Sequence, residues 1–200
     1  MIKILILWVL ILNSLTLNAA SIVVLGDSIS AGYGLEIDQG WVSLLQNELN
    51  TENLDYTIQN ESISGDTTAG GLARIDQILA RHQPALLMLE LGANDGLRGM
   101  SPKTMKVNLT EIIKRSHKAG TKVLLLSMRI PTNYGKRYTD MFYNTYLDLG
   151  KELDIPVVPF ILEDVALNSE LMQKDRVHPN AQGQILIVEH VWPYLLPMLK

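Results

Sequence analysis

Residues 22–28 read Ile-Val-Val-Leu-Gly-Asp-Ser, an apolar, β-branched run that stops at a glycine and two small polar residues. Consecutive apolar residues predict a strand covered on both faces, because a half-exposed strand alternates apolar and polar positions. The same form returns downstream. Tyr56-Thr57-Ile58 is a second, weaker strand, Ala85–Leu91 a third, Lys122–Ser127 a fourth and Pro156–Phe160 a fifth. Helical spacing fills the intervals: Trp41, Val42, Leu44, Leu45 and Leu49, then Leu72, Ile75, Ile78 and Leu79 up to Pro84. A third helix starts at Ser101-Pro102, a cap followed by proline in the first turn, and ends at Gly120. Tyr138–Leu153 and Ala181–Leu195 complete the pattern. Strand and helix alternate about five times, which predicts an α/β fold of three layers. Its centre is a five-stranded parallel sheet with helices on both faces. No repeat, low-complexity tract or linker divides residues 21–200, so they read as one domain.

The composition excludes several classes. Of 200 residues, 47% are hydrophobic and 19% charged, the formal net charge is −4, and cysteine is absent. An acidic chain with scattered Lys and Arg is a poor nucleic-acid binder. Its apolar content excludes disorder. Without cysteine there is no disulfide framework, no thiolate metal site and no thiol nucleophile. The mean hydropathy of +0.12 is high for a soluble protein, and its source is the N-terminus. Residues 1–20 hold 15 apolar residues and a single charge, Lys3. A lysine, an apolar run from Ile4 to Leu12 and a polar stretch ending in Ala19-Ala20 are the layout of a secretory signal. The run is far short of the ~20 residues that span a bilayer. Cleavage is expected after Ala19 or Ala20, giving a periplasmic or secreted domain with no stable membrane insertion.

In open parallel sheets, ligands bind at the carboxyl ends of the strands, so the residues after each strand are read for chemistry. The first strand leads into Gly26-Asp27-Ser28-Ile29-Ser30, where a serine in a tight turn can present its hydroxyl above the sheet edge. It could equally be a turn serine or a helix cap. This is not the Gly-x-Ser-x-Gly elbow, because Ser30 stands at the last glycine position. Gly32-Tyr33-Gly34 begins like a dinucleotide fingerprint but has Ile37 where the third glycine belongs. After the second strand, Gly65 in Ser64-Gly65-Asp66 is a backbone that can approach a ligand, or a turn glycine before a helix capped by Asp66 or Thr67. After the third, Asn94 in Gly92-Ala93-Asn94-Asp95 is either a neutral oxyanion donor or an Asx-turn residue. Asp175-Arg176-Val177-His178 precedes the last helix. An Asp three residues before a His can accept the Nδ1 proton and leave Nε2 free as a base. His82, His117 and His190 fall within helical segments. Individually these signals are weak. Jointly they put a nucleophile, a base, its orienting acid and two further donors on one sheet edge, the requirements of acyl transfer.

These segments resemble the four blocks of the GDSL, or SGNH, hydrolases in order and spacing. The stretches GDSISAGYG, SISGDTTAGGLARI, ELGANDGLRG, RIPTNYGKRY and HPNAQGQ are similar to the bacterial multifunctional thioesterase/arylesterase/lysophospholipase branch of that family. The resemblance runs from Ser21 to about Pro197. It implies a flavodoxin-like parallel sheet and a serine esterase. Ser28 would be the nucleophile, His178 with Asp175 would complete the triad, and the Ser28 and Gly65 N–H groups with the Asn94 amide would form the oxyanion hole. Neither a metal nor a cofactor is implied.

The expected substrate is a small acyl ester, a thioester or a lysophospholipid. Leu97, Met100, Ile130, Pro131 and Tyr134 are candidates to line the acyl chain, and Arg98 and Arg137 could meet a phosphate head group. Gly96 and Gly99 flank a segment able to move. No nucleic-acid partner is expected, and nothing in the sequence demands association beyond a monomer. Two other readings compete: a carbohydrate O-deacetylase using the same triad, and a flavodoxin-like binding module without catalysis.

Overall fold

The computed structural model describes residues 19–200. The expected signal segment therefore lies outside the described residues, apart from Ala19 and Ala20. Ala20 opens the first strand, β1 (Ala20–Gly26). The chain continues through α1 (Trp41–Thr51), β2 (Tyr56–Asn60), α2 (Thr68–His82), β3 (Leu86–Glu90) and a short α3 (Ala93–Leu97). It finishes with α4 (Pro102–Lys118), β4 (Lys122–Leu126), α5 (Lys136–Leu153), β5 (Val157–Val158) and α6 (Ala181–Leu199). The strands form one sheet in the order β2-β1-β3-β4-β5, and every pairing is parallel.

The order explains the layers. The chain steps from β1 to β2 in one direction, then crosses back over β1 to reach β3, β4 and β5 in turn. Right-handed crossovers place α1 on one face and α2, α4 and α5 on the other. The packing agrees: α2 lies against α4 and α4 against α5, while α1 pairs with α6. The central strands are sealed on both sides. Ile22 to Leu25 and Leu87 to Leu89 have no solvent exposure, which accounts for their unbroken apolar runs. β2, at the edge, keeps only partial burial.

Several element boundaries differ from the sequence expectation, three of them with consequences for the fold. β5 is two residues rather than five, because Pro156 and Pro159 flank it and neither has an N–H to give to the ladder. The Gly92-Ala93-Asn94-Asp95 stretch, read as a loop, is the start of helix α3. The last helix runs through Pro193 and Pro197 to Leu199. Burial of Val191 and Leu195 holds it against the core despite the missing N–H groups.

The direction of travel reverses between β1 and β3. That reversal opens a crevice at the carboxyl ends of these strands, with Ser28 just after β1 and Asn94 just after β3.

Candidate active site

Gly26 ends β1, and the close approach behind it requires glycine. A Cβ there would lie 2.6 Å from Ser30 Oγ and 2.7 Å from Glu90 Oε2. The turn that follows is wound on two buried carboxyls. Glu90 Oε2 accepts the Asp27 N–H at 3.2 Å and the Ser30 hydroxyl at 2.7 Å. Asp27 Oδ1 accepts the Ile29 N–H at 3.0 Å. Ser28, between these anchored residues, projects its hydroxyl outward.

The loop before α6 brings the candidate base. An isolated bridge joins Met172 to Pro179, and the Gln173 N–H donates to the His178 carbonyl at 2.8 Å. Arg176 turns the chain with φ 58°, a strained left-handed conformation for a non-glycine residue. Asn180 locks the far end. Its Oδ1 caps α6 through the Gln182 and Gly183 N–H groups, and its Nδ2 donates to the Glu170 carbonyl at 2.7 Å. Inside this loop His178 Nδ1 donates to Asp175 Oδ2 at 2.7 Å, and His178 Nε2 accepts the Ser28 hydroxyl at 2.9 Å. The three candidate triad residues are thus in contact. Partial desolvation pushes the Asp175 carboxyl up. Its bonds from His178 and from the Val177 and His178 N–H groups outweigh that and hold it at about 2. It is a carboxylate at neutral pH, as a partner of an imidazolium must be.

The donors come from the neighbouring loops. Gly65 adopts φ +80°, a conformation L side chains seldom take, and Arg98 donates to its carbonyl at 2.9 Å. Thr67, not Asp66, accepts the capping bond of α2, from Gly70 at 3.3 Å. Among the described residues, the N–H groups of Ser28 and Gly65 donate to no protein acceptor. Asn94 gives one amide hydrogen to Asp27 Oδ2 at 3.0 Å, which leaves its second hydrogen free. The Asx turn considered for Asn94 is absent. Burial pushes Asp27 up to about 6, against bonds from Ile29 and Asn94 that pull it down. Burial pushes Glu90 well above its ordinary value, reinforced by the neighbouring Asp27 charge.

The remaining sequence candidates are more dispersed. Leu97 and Tyr134 are exposed, and the Tyr134 hydroxyl donates to the Leu97 carbonyl at 2.7 Å. Tyr138 ties the same segment down through the Gly96 and Met100 carbonyls. Met100 is half-buried and Pro131 exposed, whereas Ile130 packs inward close to Gly96. A cavity of about 440 Å³ beside them is lined by Arg129, Ile130, Thr132, Lys136, Thr139 and Asp140, and does not reach Ser28. Arg98 is engaged with Gly65, and Arg137 is exposed on the first turn of α5. His82 pairs with Glu61 at 2.6 Å, away from the triad.

Sequence reading missed Glu90, Tyr33, Gln173 and Asn180 as parts of the site. Glu90 had a readable signal: it is a lone charge inside the apolar run Ala85–Leu91. The others depend on contacts between distant segments.

Comparison with known proteins defines the class. The model of the GDSL-like lipase/acylhydrolase family matches residues 24–186. Esterase TesA of Pseudomonas aeruginosa is 47% identical over 181 residues, 90% of either chain. An arylesterase of Vibrio mimicus is 46% identical over 180 residues, 88% of this chain and 90% of its own. Thioesterase 1/protease 1/lysophospholipase L1 of Escherichia coli K12 is 39% identical over 194 residues, 96% of this chain and 92% of that one. A crystal structure of TesA superposes with a TM-score of 0.87 at 47% identity, covering 89% of this chain and 99% of that one. The chain belongs to the GDSL-like lipase/acylhydrolase family. It is an SGNH-type hydrolase, with the five-stranded parallel sheet of that fold.

Proposed function

We propose that this hydrolase cleaves acyl esters and thioesters through an acyl-enzyme on Ser28. The observation that carries the reading is the contact of Ser28 Oγ with His178 Nε2 at 2.9 Å, beside two N–H groups without a protein acceptor. His178 takes the Ser28 proton as the oxygen attacks the acyl carbonyl, and Asp175 stabilises the imidazolium. The Ser28 and Gly65 N–H groups and the free Asn94 hydrogen hold the oxyanion. His178 then protonates the departing alcohol or thiol. In the second half, His178 draws a proton from water, which attacks the acyl-enzyme and frees the acid.

The activities named for the relatives, on aryl esters, thioesters and lysophospholipids, indicate a broad choice of leaving group. Exposed Ile63, Leu97 and Tyr134, on the segments that follow β2, β3 and β4, favour an apolar acyl chain over a sugar. Leu97, Met100, Ile130, Pro131 and Tyr134 would follow that chain away from Ser28. The enzyme works as a monomer on small molecules, with no nucleic acid.

Export to the periplasm or beyond is part of the proposal. Among the described residues, no helix is long and apolar enough to cross a membrane. Ala20 pairs with Tyr56, and its N–H donates to the Asp55 carbonyl at 3.1 Å. Cleavage after Ala19 leaves β1 whole, so the structure favours that position over Ala20.

Ser28→Ala decides the matter. Hydrolysis of a short chromogenic ester should fall at least about a thousand-fold with thermal unfolding unchanged. Activity near wild type in the folded variant overturns the assignment.

A further inference from the structure

The motif Gly32-Tyr33-Gly34 has no place in the mechanism above, yet it delivers an aromatic ring to the base. The Tyr33 ring lies 4.6 Å from the His178 imidazole, centroid to centroid, with the planes inclined by 38°. The contact is built rather than incidental. The Tyr33 N–H donates to the Ser28 carbonyl at 3.0 Å, which ties the tyrosine to the nucleophile turn. Gln173 Nε2 donates both to the Tyr33 carbonyl at 2.7 Å and to the Pro179 carbonyl at 3.0 Å. The Gln173 N–H holds the His178 carbonyl in addition. One glutamine therefore fastens the loop after β1 to the loop of the base. Gly34, at φ +77°, makes room for it, since a Cβ there would overlap Gln173 Oε1.

We infer that Tyr33 is a positioning residue for His178: its ring covers one side of the imidazole and favours the imidazolium formed at each proton transfer. The inference rests on the assignment of His178 as the base. An aromatic face attracts a cation through its quadrupole, and the ring also limits rotation of the imidazole away from Ser28. The Tyr33 hydroxyl accepts and donates no hydrogen bond to the triad, so the ring is the active part. The charged groups that act on the imidazole are Asp175, bonded to it on its own loop, and Asp27 just after β1, whose carboxyl the His178 charge influences; the Ser28 hydroxyl bonds to Nε2.

The test compares Tyr33→Leu with Tyr33→Phe, with Ser28→Ala as the reference for the triad itself. Because Tyr33 is 53% exposed, its contribution belongs at the modest end of the range. Tyr33→Leu should lower kcat about two- to five-fold and move the acid limb of the kcat/KM profile down by about half a pH unit. NMR titration of the His178 ring, assigned with His178→Gln, should show the same displacement and so separate it from Asp27. Tyr33→Phe should restore both the rate and the profile. An unchanged profile and ring titration in Tyr33→Leu overturn the inference, as does a Phe variant that behaves like Leu. Should Ser28→Ala retain activity, the fault lies with the triad assignment rather than with Tyr33.

Discussion

Asn94 Nδ2 donates to Asp27 Oδ2 across 3.0 Å, linking the helix that follows β3 to the nucleophile turn that follows β1. A carboxylate at that point admits only an N–H from Asn94, so the amide cannot turn its oxygen toward Asp27. The orientation that leaves the second amide hydrogen free for the proposed oxyanion is thereby selected.

The first prediction is a trade of activity for stability at Asp27. Its folded pKa, at about 6, lies above the ordinary 3.8, so the folded state holds the proton longer than the unfolded chain. The contribution to stability is full below about pH 4 and is lost as pH rises through about 6. At pH 8 the charge therefore costs on the order of 2–3 kcal/mol. Asp27→Asn should raise Tm at pH 8 while kcat falls about 10- to 100-fold, because the amide no longer dictates which way Asn94 faces. Calorimetry with steady-state kinetics checks both; a variant less stable at pH 8 contradicts the account.

Glu90 yields a second prediction with the same sign. Burial raises its folded pKa well above the ordinary 4.5, so its stabilisation is present in acid and declines as pH climbs above that value. Glu90→Gln keeps an oxygen for the Asp27 N–H and the Ser30 hydroxyl but cannot ionise. Denaturant midpoints measured from pH 5 to pH 9 should decline less in this variant than in wild type. Parallel curves would mean that the Glu90 carboxyl does not titrate with folding.

Neither effect could have been read without the fold, and the reason is instructive. The apolar runs at 22–25 and 86–89 are local signals, because covering both faces of a strand demands apolar residues at every position. The candidate set Ser28, Gly65, Asn94, Asp175 and His178 could be picked out because each sits in a short polar segment directly after a strand or before a helix. Glu90 and Tyr33 were harder to interpret, for opposite reasons. Glu90 lies where the pattern expects an apolar residue, and its meaning depends on Gly26 and Ser30 across the sheet. Tyr33 looks like a loop aromatic until Gln173 and His178 arrive from the other end of the chain. The short β5 depended on two prolines whose effect is clear only once it is known to be an edge strand.

A third prediction concerns Gly65. A Cβ at this residue meets nothing nearer than Arg98 Nη2 at 3.9 Å, so any effect of Gly65→Ala comes from backbone strain. That strain should amount to about 1–2 kcal/mol. Relaxing φ would rotate the N–H, and kcat should drop about ten-fold or more with KM little changed. Full activity in Gly65→Ala would exclude this N–H as an oxyanion donor.

The fourth prediction is Asn180→Ala. It removes the α6 cap and the bond to Glu170 that closes the loop of the base. A loss of about 1–2 kcal/mol, or roughly 3–6 °C in Tm, is expected. Because His178 lies two residues away, kcat should fall as well, and Asn180→Asp, which keeps an accepting oxygen, should recover the stability more fully than the rate. Thermal melts and ester kinetics on the pair would reveal any uncoupling; loss of stability with unaltered kcat would leave the loop of the base independent of this cap.

Ser28 and His178 touch across 150 positions of sequence. During synthesis, therefore, Ser28 leaves the ribosome with β1, and its proposed base follows only 150 residues later. Any product that stops short of His178 carries a serine with no partner to take its proton, and so lacks the proposed esterase chemistry. The proposed activity is then acquired only when the segment carrying His178 docks against the loop after β1.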